Sequence, residues 1–404
     1  MFLIHRKIHK DLIPLLENNS LNSYRVLIKY SNFEDKIVKK IINSRGTVLN
    51  IIDSINCISA VIKKHTLYTL AEYPYIKRIF PDSMITLNMN SSYSKGLNIS
   101  LNSSVKLTGK NTTIGILSSG VYPHVDLLKP HRKVIQFLDL VNGYKYPYDD
   151  FGHGTAICGL ISSSQSSNKK SVKGLSPDSH LYVVKAFNSI GKAYISTILF
   201  GIHMLINEKD KYNINVICLP FEINTFDSNI TSLFDKLFEK ARNDNIVVVV
   251  PSTSNGIEYS SVCGFALSKN CITIGGLYKD NTPYEMTSKC NHKKLKKPDF
   301  WFPCVGLNCL NSDINYISER SGRKLYPLKL DRLNITITSL SLSSALVSSL
   351  IALAFDYNKD FKWDDIYSIL KYSSTPKDGP KPDIPIINIP EFFAFTSKTK
   401  PSNK

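Results

Sequence analysis

The eight cysteines of this chain, at 57, 158, 218, 263, 271, 290, 304 and 309, include no Cys-x-x-Cys pair and no metal-ligand spacing with histidine. Cysteine-based metal centres and redox pairs are excluded on that pattern. Several of the thiols lie inside apolar runs such as Val216-Ile217-Cys218-Leu219, where cysteine behaves as a small hydrophobe. Cys304 and Cys309 read in the same way, as packed thiols. The chain also lacks any run near the roughly 20 apolar residues that a membrane span requires. Its first residues, Met1-Phe2-Leu3-Ile4-His5-Arg6-Lys7, become charged too early for a secretory leader. The expectation is a reduced, cytoplasmic protein without a membrane partner.

Disorder-type composition is missing as well. With 404 residues, 43% of them hydrophobic, the chain is long enough for one large globular domain and a small one. Positive charge is in excess, 50 Lys and Arg against 33 Asp and Glu, which gives a net +17. That charge is spread along the chain among many Asn, Ile and Tyr. Its densest cluster, His292-Lys293-Lys294-Leu295-Lys296-Lys297, reads as a solvated loop, and no nucleic-acid motif accompanies it. A nucleic-acid partner is therefore not expected.

Residues 24–82 carry their own pattern, preceded by an N-terminal extension over 1–23. Tyr24 to Tyr30 alternates like a strand, Glu34 to Ser44 has helical spacing through Ile37, Ile41 and Ile42, and Gly46-Thr47-Val48 resumes extended structure. Cys57 to Ile62 reads as a strand, Lys64 to Tyr73 as a helix ending before Pro74, and Ile76 to Phe80 as a last strand. This β-α-β-β-α-β order predicts a small ferredoxin-like α+β domain. Residues 83–106, rich in Asn and Ser, read as a linker or irregular arm.

From Thr112 the pattern changes to apolar strands separated by helices. Thr113 to Leu117, Leu181 to Phe187, Asn215 to Leu219, Ile246 to Val250 and Cys271 to Gly275 are strands without polar alternation. Helices are expected over Ser196 to Glu208, Asn229 to Asp244 and, long and buried, Ser339 to Phe355. Such runs predict an α/β domain whose parallel sheet is covered on both faces, over residues 107–395 with a basic tail at 396–404. Its functional site belongs at the carboxyl ends of the strands.

One stretch supplies chemistry. In Gly152-His153-Gly154-Thr155, followed by the apolar run Ala156-Ile157-Cys158-Gly159-Leu160-Ile161, a loop turns into a buried helix and presents a histidine at its start. The glycines allow close approach of backbone and substrate, and the helix holds the imidazole still, as a general base requires.

This order, with Gly-His-Gly-Thr in its place, resembles the subtilisin-like serine proteases, the subtilases (peptidase S8), from Leu107 to about Tyr357. Residues 24–82 look like the family's inhibitory propeptide. The stretch from Lys133 through Val141-Asn142-Gly143 to His153 and the helix end Lys209-Asp210-Lys211-Tyr212 are most similar to the bacterial intracellular-type members. The resemblance implies a subtilisin-like fold, peptide or protein substrates or binding partners, and the propeptide-like domain over the cleft. No cofactor is expected, and a structural calcium is left open.

Carried over residue by residue, the resemblance places the catalytic histidine at His153 and the nucleophile at Ser341, within Ser339-Leu340-Ser341-Leu342-Ser343-Ser344-Ala345. Three departures accompany them. Ser118, in Leu117-Ser118-Ser119-Gly120, stands where the family has the aspartate that orients the imidazole. At the oxyanion position, alignment on Gly256 puts Ser254 in place of asparagine, with Asn255 one place later. The substrate-binding segment Ser-x-Gly becomes Pro220-Phe221-Glu222, which loses a backbone donor and gains a carboxylate. The expectation is a degenerate, catalytically impaired member with a binding or regulatory role, and the alternative is an active endopeptidase using Ser341 and His153. Asp126, Asp149 and Asp150 are expected to be structural or turn residues.

Overall fold

The computed structural model describes residues 6–18, 21–92, 96–99, 107–169, 171–225, 227–254, 261–292, 295–374 and 384–402. It divides into two compact units, Met1–Ile85 with Ala193–His203, and Thr86–Lys192 with Met204–Lys404.

In the first unit the elements run β1 (Tyr24–Tyr30), α1 (Glu34–Asn43), β2 (Thr47–Ile52), β3 (Cys57–Ile62), α2 (Lys64–Glu72) and β4 (Ile76–Pro81). The strands form one antiparallel sheet in the order β2-β3-β1-β4, with Val26 opposite Ala60 on one side and Pro81 on the other. Ile37 and Ile41, one helical turn apart, bury the inner face of α1, and Leu67 and Leu70 do the same for α2. They meet Val26, Ile28 and Ile58 from the sheet in a single core.

The second unit is built on seven strands: β6 (Thr113–Ser118), β7 (Val134–Asp139), β8 (His180–Lys185), β9 (Ile214–Cys218), β10 (Val247–Pro251), β11 (Ile272–Leu277) and β12 (Phe300–Pro303). They lie parallel in the order β12-β11-β10-β9-β6-β8-β7. Val247 to Val250 have no exposure at all, which is why this stretch shows no polar alternation. Helices α3 (His153–Ser162), α4 (Ser228–Asn243), α5 (Leu340–Tyr357), α6 (Trp363–Ser373) and α7 (Ile389–Lys398) belong to the same unit. α5 is buried from Leu340 to Phe355. By length and composition it could cross a membrane, but it serves as the core helix against the sheet. Its serines return their protons to the helix: Ser344, Ser348 and Ser349 donate to the carbonyls of Ser341, Ser344 and Ala345.

One part of the expected linker is ordered by pairing. Residues 90–92 form β5 (Asn90–Ser92), which lies antiparallel to β14 (Asn334–Thr338), itself paired with β13 (Leu307–Leu310). The sequence Asn-Ser-Ser carries no strand signal, because its ladder depends on backbone groups and on the neighbouring strand rather than on side chains.

Candidate active site

The site lies at the carboxyl edge of the sheet, where β6 ends in the fully buried Ser118. α3 begins there for a steric reason. Gly152 enters the helix at φ 95°, and a Cβ on Gly154 would fall 2.0 Å from the carbonyl oxygen of Gly120. Only glycine lets the helix start settle on the turn that follows β6. The approach carries His153, 1% exposed, to Ser118 on one side and to Ser341 in the first turn of α5 on the other. Nδ1 of His153 is 2.8 Å from Ser118 Oγ, and Nε2 is 2.8 Å from Ser341 Oγ. The three residues that the resemblance assigns to the catalytic group therefore meet in one row.

Among the described residues no carboxylate is hydrogen-bonded to the imidazole. Asp149, the acid that acts on it electrostatically, is fully buried and spends its oxygens on the helix start. It accepts from the amides of Phe151, Gly152 and Thr155 and from the hydroxyls of Ser119 and Thr155, at 2.6 to 3.2 Å. Burial, partly offset by Asp149, lowers the His153 pKa to about 4, so the ring is neutral at pH 7. Asp150 pairs instead with Lys185, whose Nζ also donates to the carbonyls of Ser119 and Phe187. Burial pushes the Asp150 carboxyl upward, and Lys185 pulls it back. Asp126 accepts from Ser167 and Ser171, away from this row. Among the described residues no group of three or more His, Cys, Asp or Glu is placed to hold a metal ion.

On the 220–222 side of the cleft, neither Pro220 nor Phe221 offers a free backbone donor. Pro220 has no N–H, and the Phe221 amide donates back to the Leu219 carbonyl at 2.9 Å. The Phe221 ring turns inward, with centroids 5.1 Å from Phe187 and 5.6 Å from Phe265. Glu222 accepts from both the amide and the hydroxyl of Ser254, at 2.7 and 2.6 Å, so neither donor is free for an oxyanion. Burial raises the Glu222 pKa, against the pull of those two bonds. Asn255, the other oxyanion candidate, lies outside the described residues. The crevice bounded by Asn88, Pro220, Glu222, Pro251 and Ser341 has a volume of about 10 Å³, room for one water at most.

Sequence reasoning missed what lies in front of Ser341. An extended strap, residues 87–92, runs past it. The Leu87 amide donates to Gly191 O at 2.8 Å, the Asn88 carbonyl accepts from Ser339 Oγ at 3.2 Å, and Asn90–Ser92 pair with β14. Ser339 caps α5, and its Oγ lies 2.7 Å from Ser341 Oγ. A polar Asn/Ser stretch advertises none of this.

The Subtilase family matches residues 109–385 of the chain. The chain is 26% identical over 356 residues to the serine protease AprX of Bacillus subtilis, a match covering 82% of this chain and 77% of AprX. The minor extracellular protease Epr of the same organism is 32% identical over 152 residues, 37% of this chain and 21% of Epr. Among solved structures, fervidolysin from Fervidobacterium pennivorans, a keratinolytic enzyme related to subtilisin, superposes with a TM-score of 0.71 at 14% identity, over 95% of this chain and 62% of that one. A mutant of the epidermin leader peptide processing serine protease of Staphylococcus aureus gives 0.71 at 17% identity, over 92% and 99% of the two chains.

Proposed function

This chain belongs to the Subtilase family, and from that premise we propose that it is a catalytically impaired subtilase which binds an extended peptide segment in its cleft and hydrolyses peptide bonds poorly. One observation carries the reading: the atom 2.8 Å from Nδ1 of His153 is the hydroxyl oxygen of Ser118 and not a carboxylate. When Ser341 gives up its proton, the imidazolium needs a negative partner, and Asp149 is already committed to five donors. In subtilisin itself, removal of the triad acid costs about 3 × 10⁴ in turnover, roughly 6 kcal/mol of transition-state stabilisation. The engagement of Ser254 by Glu222 adds a further loss, about 10²–10³ by the standard of subtilisin's oxyanion asparagine.

On this reading the N-terminal unit, which looks like a propeptide, stays covalently attached through the strap, and the protein acts by binding or regulation. A second reading, an active serine endopeptidase, is favoured by the 2.8 Å contact between His153 Nε2 and Ser341 Oγ. Prolonged incubation of the wild type beside Ser341→Ala separates the two, read by intact mass and by fluorophosphonate labelling of Ser341. We expect both proteins to keep their full-length mass, and labelling at least 10³-fold slower than for an active subtilase. Loss of the N-terminal segment in the wild type alone would overturn the proposal.

A further inference from the structure

Four contacts join Ser118, His153, Ser341, Ser339 and Asn88 in a row. Their proton directions follow from one end. The Asn88 carbonyl can only accept, so the 3.2 Å bond takes the Ser339 hydroxyl proton. Ser339 Oγ then receives, across 2.7 Å, the proton of Ser341. Ser341 Oγ in turn receives from His153 across 2.8 Å, which puts the ring proton on Nε2. Nδ1 is left bare and accepts from Ser118, also at 2.8 Å. In this direction every hydroxyl in the row donates once and accepts once or more, except Ser118, which begins it.

The opposite direction fails at the buried Ser118 end. If Ser341 donated to His153, Nδ1–H would have to donate to Ser118, whose own proton would have no acceptor. Ser118 Oγ has no other partner among the described residues, and it has no exposure to water. At the far end Ser339 would turn its proton to Ser341 and leave the exposed Asn88 carbonyl to water, so the strap would lose this hydrogen bond. An aspartate at 118 would impose that opposite direction, since a carboxylate only accepts. The neutrality of His153 at pH 7 agrees with a single ring proton, with one nitrogen donating and the other accepting.

We infer that the Ser118–His153–Ser341–Ser339 row is a one-way donor relay that binds the carbonyl of an extended peptide strand, here Asn88 of the chain's own strap, with His153 held in the Nε2–H tautomer. The inference rests on the proposed impairment and gives it a cause: Ser341 donates its proton away from the imidazole. Ligand recognition is by backbone. The relay supplies one hydrogen bond, Gly191 O accepts from the residue before, and β14 pairs with the residues after, so any extended segment able to enter the strap's place meets the same groups. Ser339 is the residue that touches the ligand, and Ser118 acts through the ring as a positioning residue.

The test uses the full chain labelled with ¹⁵N-histidine, in long-range ¹H–¹⁵N correlation spectra at pH 7. His153→Gln assigns the signals, and Ser341→Ala provides a second assignment if that variant does not fold. The wild type is expected to show a protonated Nε2 and a bare Nδ1, and Ser118→Asp to move the proton to Nδ1. Ser339→Ala is expected to raise amide exchange of Leu87 and residues 90–92 at least tenfold. A wild-type proton on Nδ1 overturns the relay, and unchanged strap exchange in Ser339→Ala overturns its role in binding. Fluorophosphonate labelling of the same wild-type sample keeps the two claims apart. Rapid labelling with Nε2–H sinks the impaired reading and not the relay, whereas slow labelling with Nδ1–H does the reverse.

Discussion

Acid should destabilise the second unit through His153. In the unfolded chain the ring titrates near 6.5, and in the fold burial holds it at about 4. Between those values the unfolded state binds more protons, so stability falls as pH drops through that window. Above 6.5 the ring is neutral in both states and contributes nothing. Below 4 the penalty is complete, about 2.5 pKa units at roughly 1.4 kcal/mol each, or about 3 kcal/mol. The group is 1% exposed, so screening removes little of it. The isolating comparison is wild type against His153→Gln, since the other titrating groups are shared. Both tryptophans, Trp301 and Trp363, lie in the second unit, so fluorescence follows that unit alone during urea unfolding. With a urea slope of about 3 kcal/mol/M, the wild-type midpoint should drop by about 1 M more than the variant's between pH 7 and pH 4. Parallel midpoints would show that the buried ring is not held neutral, and the tautomer argument would fall with it.

Two other perturbations address access and geometry. Glu222→Gly releases both donors of Ser254 and widens the crevice, but moves no contact to His153. Fluorophosphonate labelling of Ser341 should rise at least tenfold, within the about 10²–10³ that freed oxyanion donors can return, and an unchanged rate would refute the loss assigned to the engagement of Ser254. Gly154→Ala places a methyl 2.0 Å from Gly120 O, backbone against backbone, so the start of α3 must move. A loss of more than about 2 kcal/mol in the tryptophan-detected transition is expected, and an unchanged midpoint would refute the steric argument.

The helical spacing of α1 and the unbroken apolar strands of the second unit were legible in the residues, because a helix buries one side at a 3.6-residue period and a strand buried on both faces shows no polar alternation. The alternation expected of Tyr24 to Tyr30 is broken by Leu27, buried like Val26 and Ile28. β10 and α5 fall within one or two residues of the expected bounds. Short strands escaped: β5 is Asn-Ser-Ser, and β12, Phe300 to Pro303, is too brief and aromatic to distinguish from packed loop. Pairing with a neighbour decides such segments, and no local pattern encodes it.

At the site the division falls between identity and direction. Gly152-His153-Gly154, the serines at 118 and 341 and the glutamate at 222 are statements of composition at fixed positions, and the chain alone determined them. That Asp149 spends its charge on the start of α3, that Glu222 consumes Ser254, and that the row ends on the Asn88 carbonyl are decisions of the tertiary structure. Hydroxyls and imidazole carry protons that can point either way. Only the surrounding acceptors, brought from 30 to 251 positions away along the chain, determine which way they point.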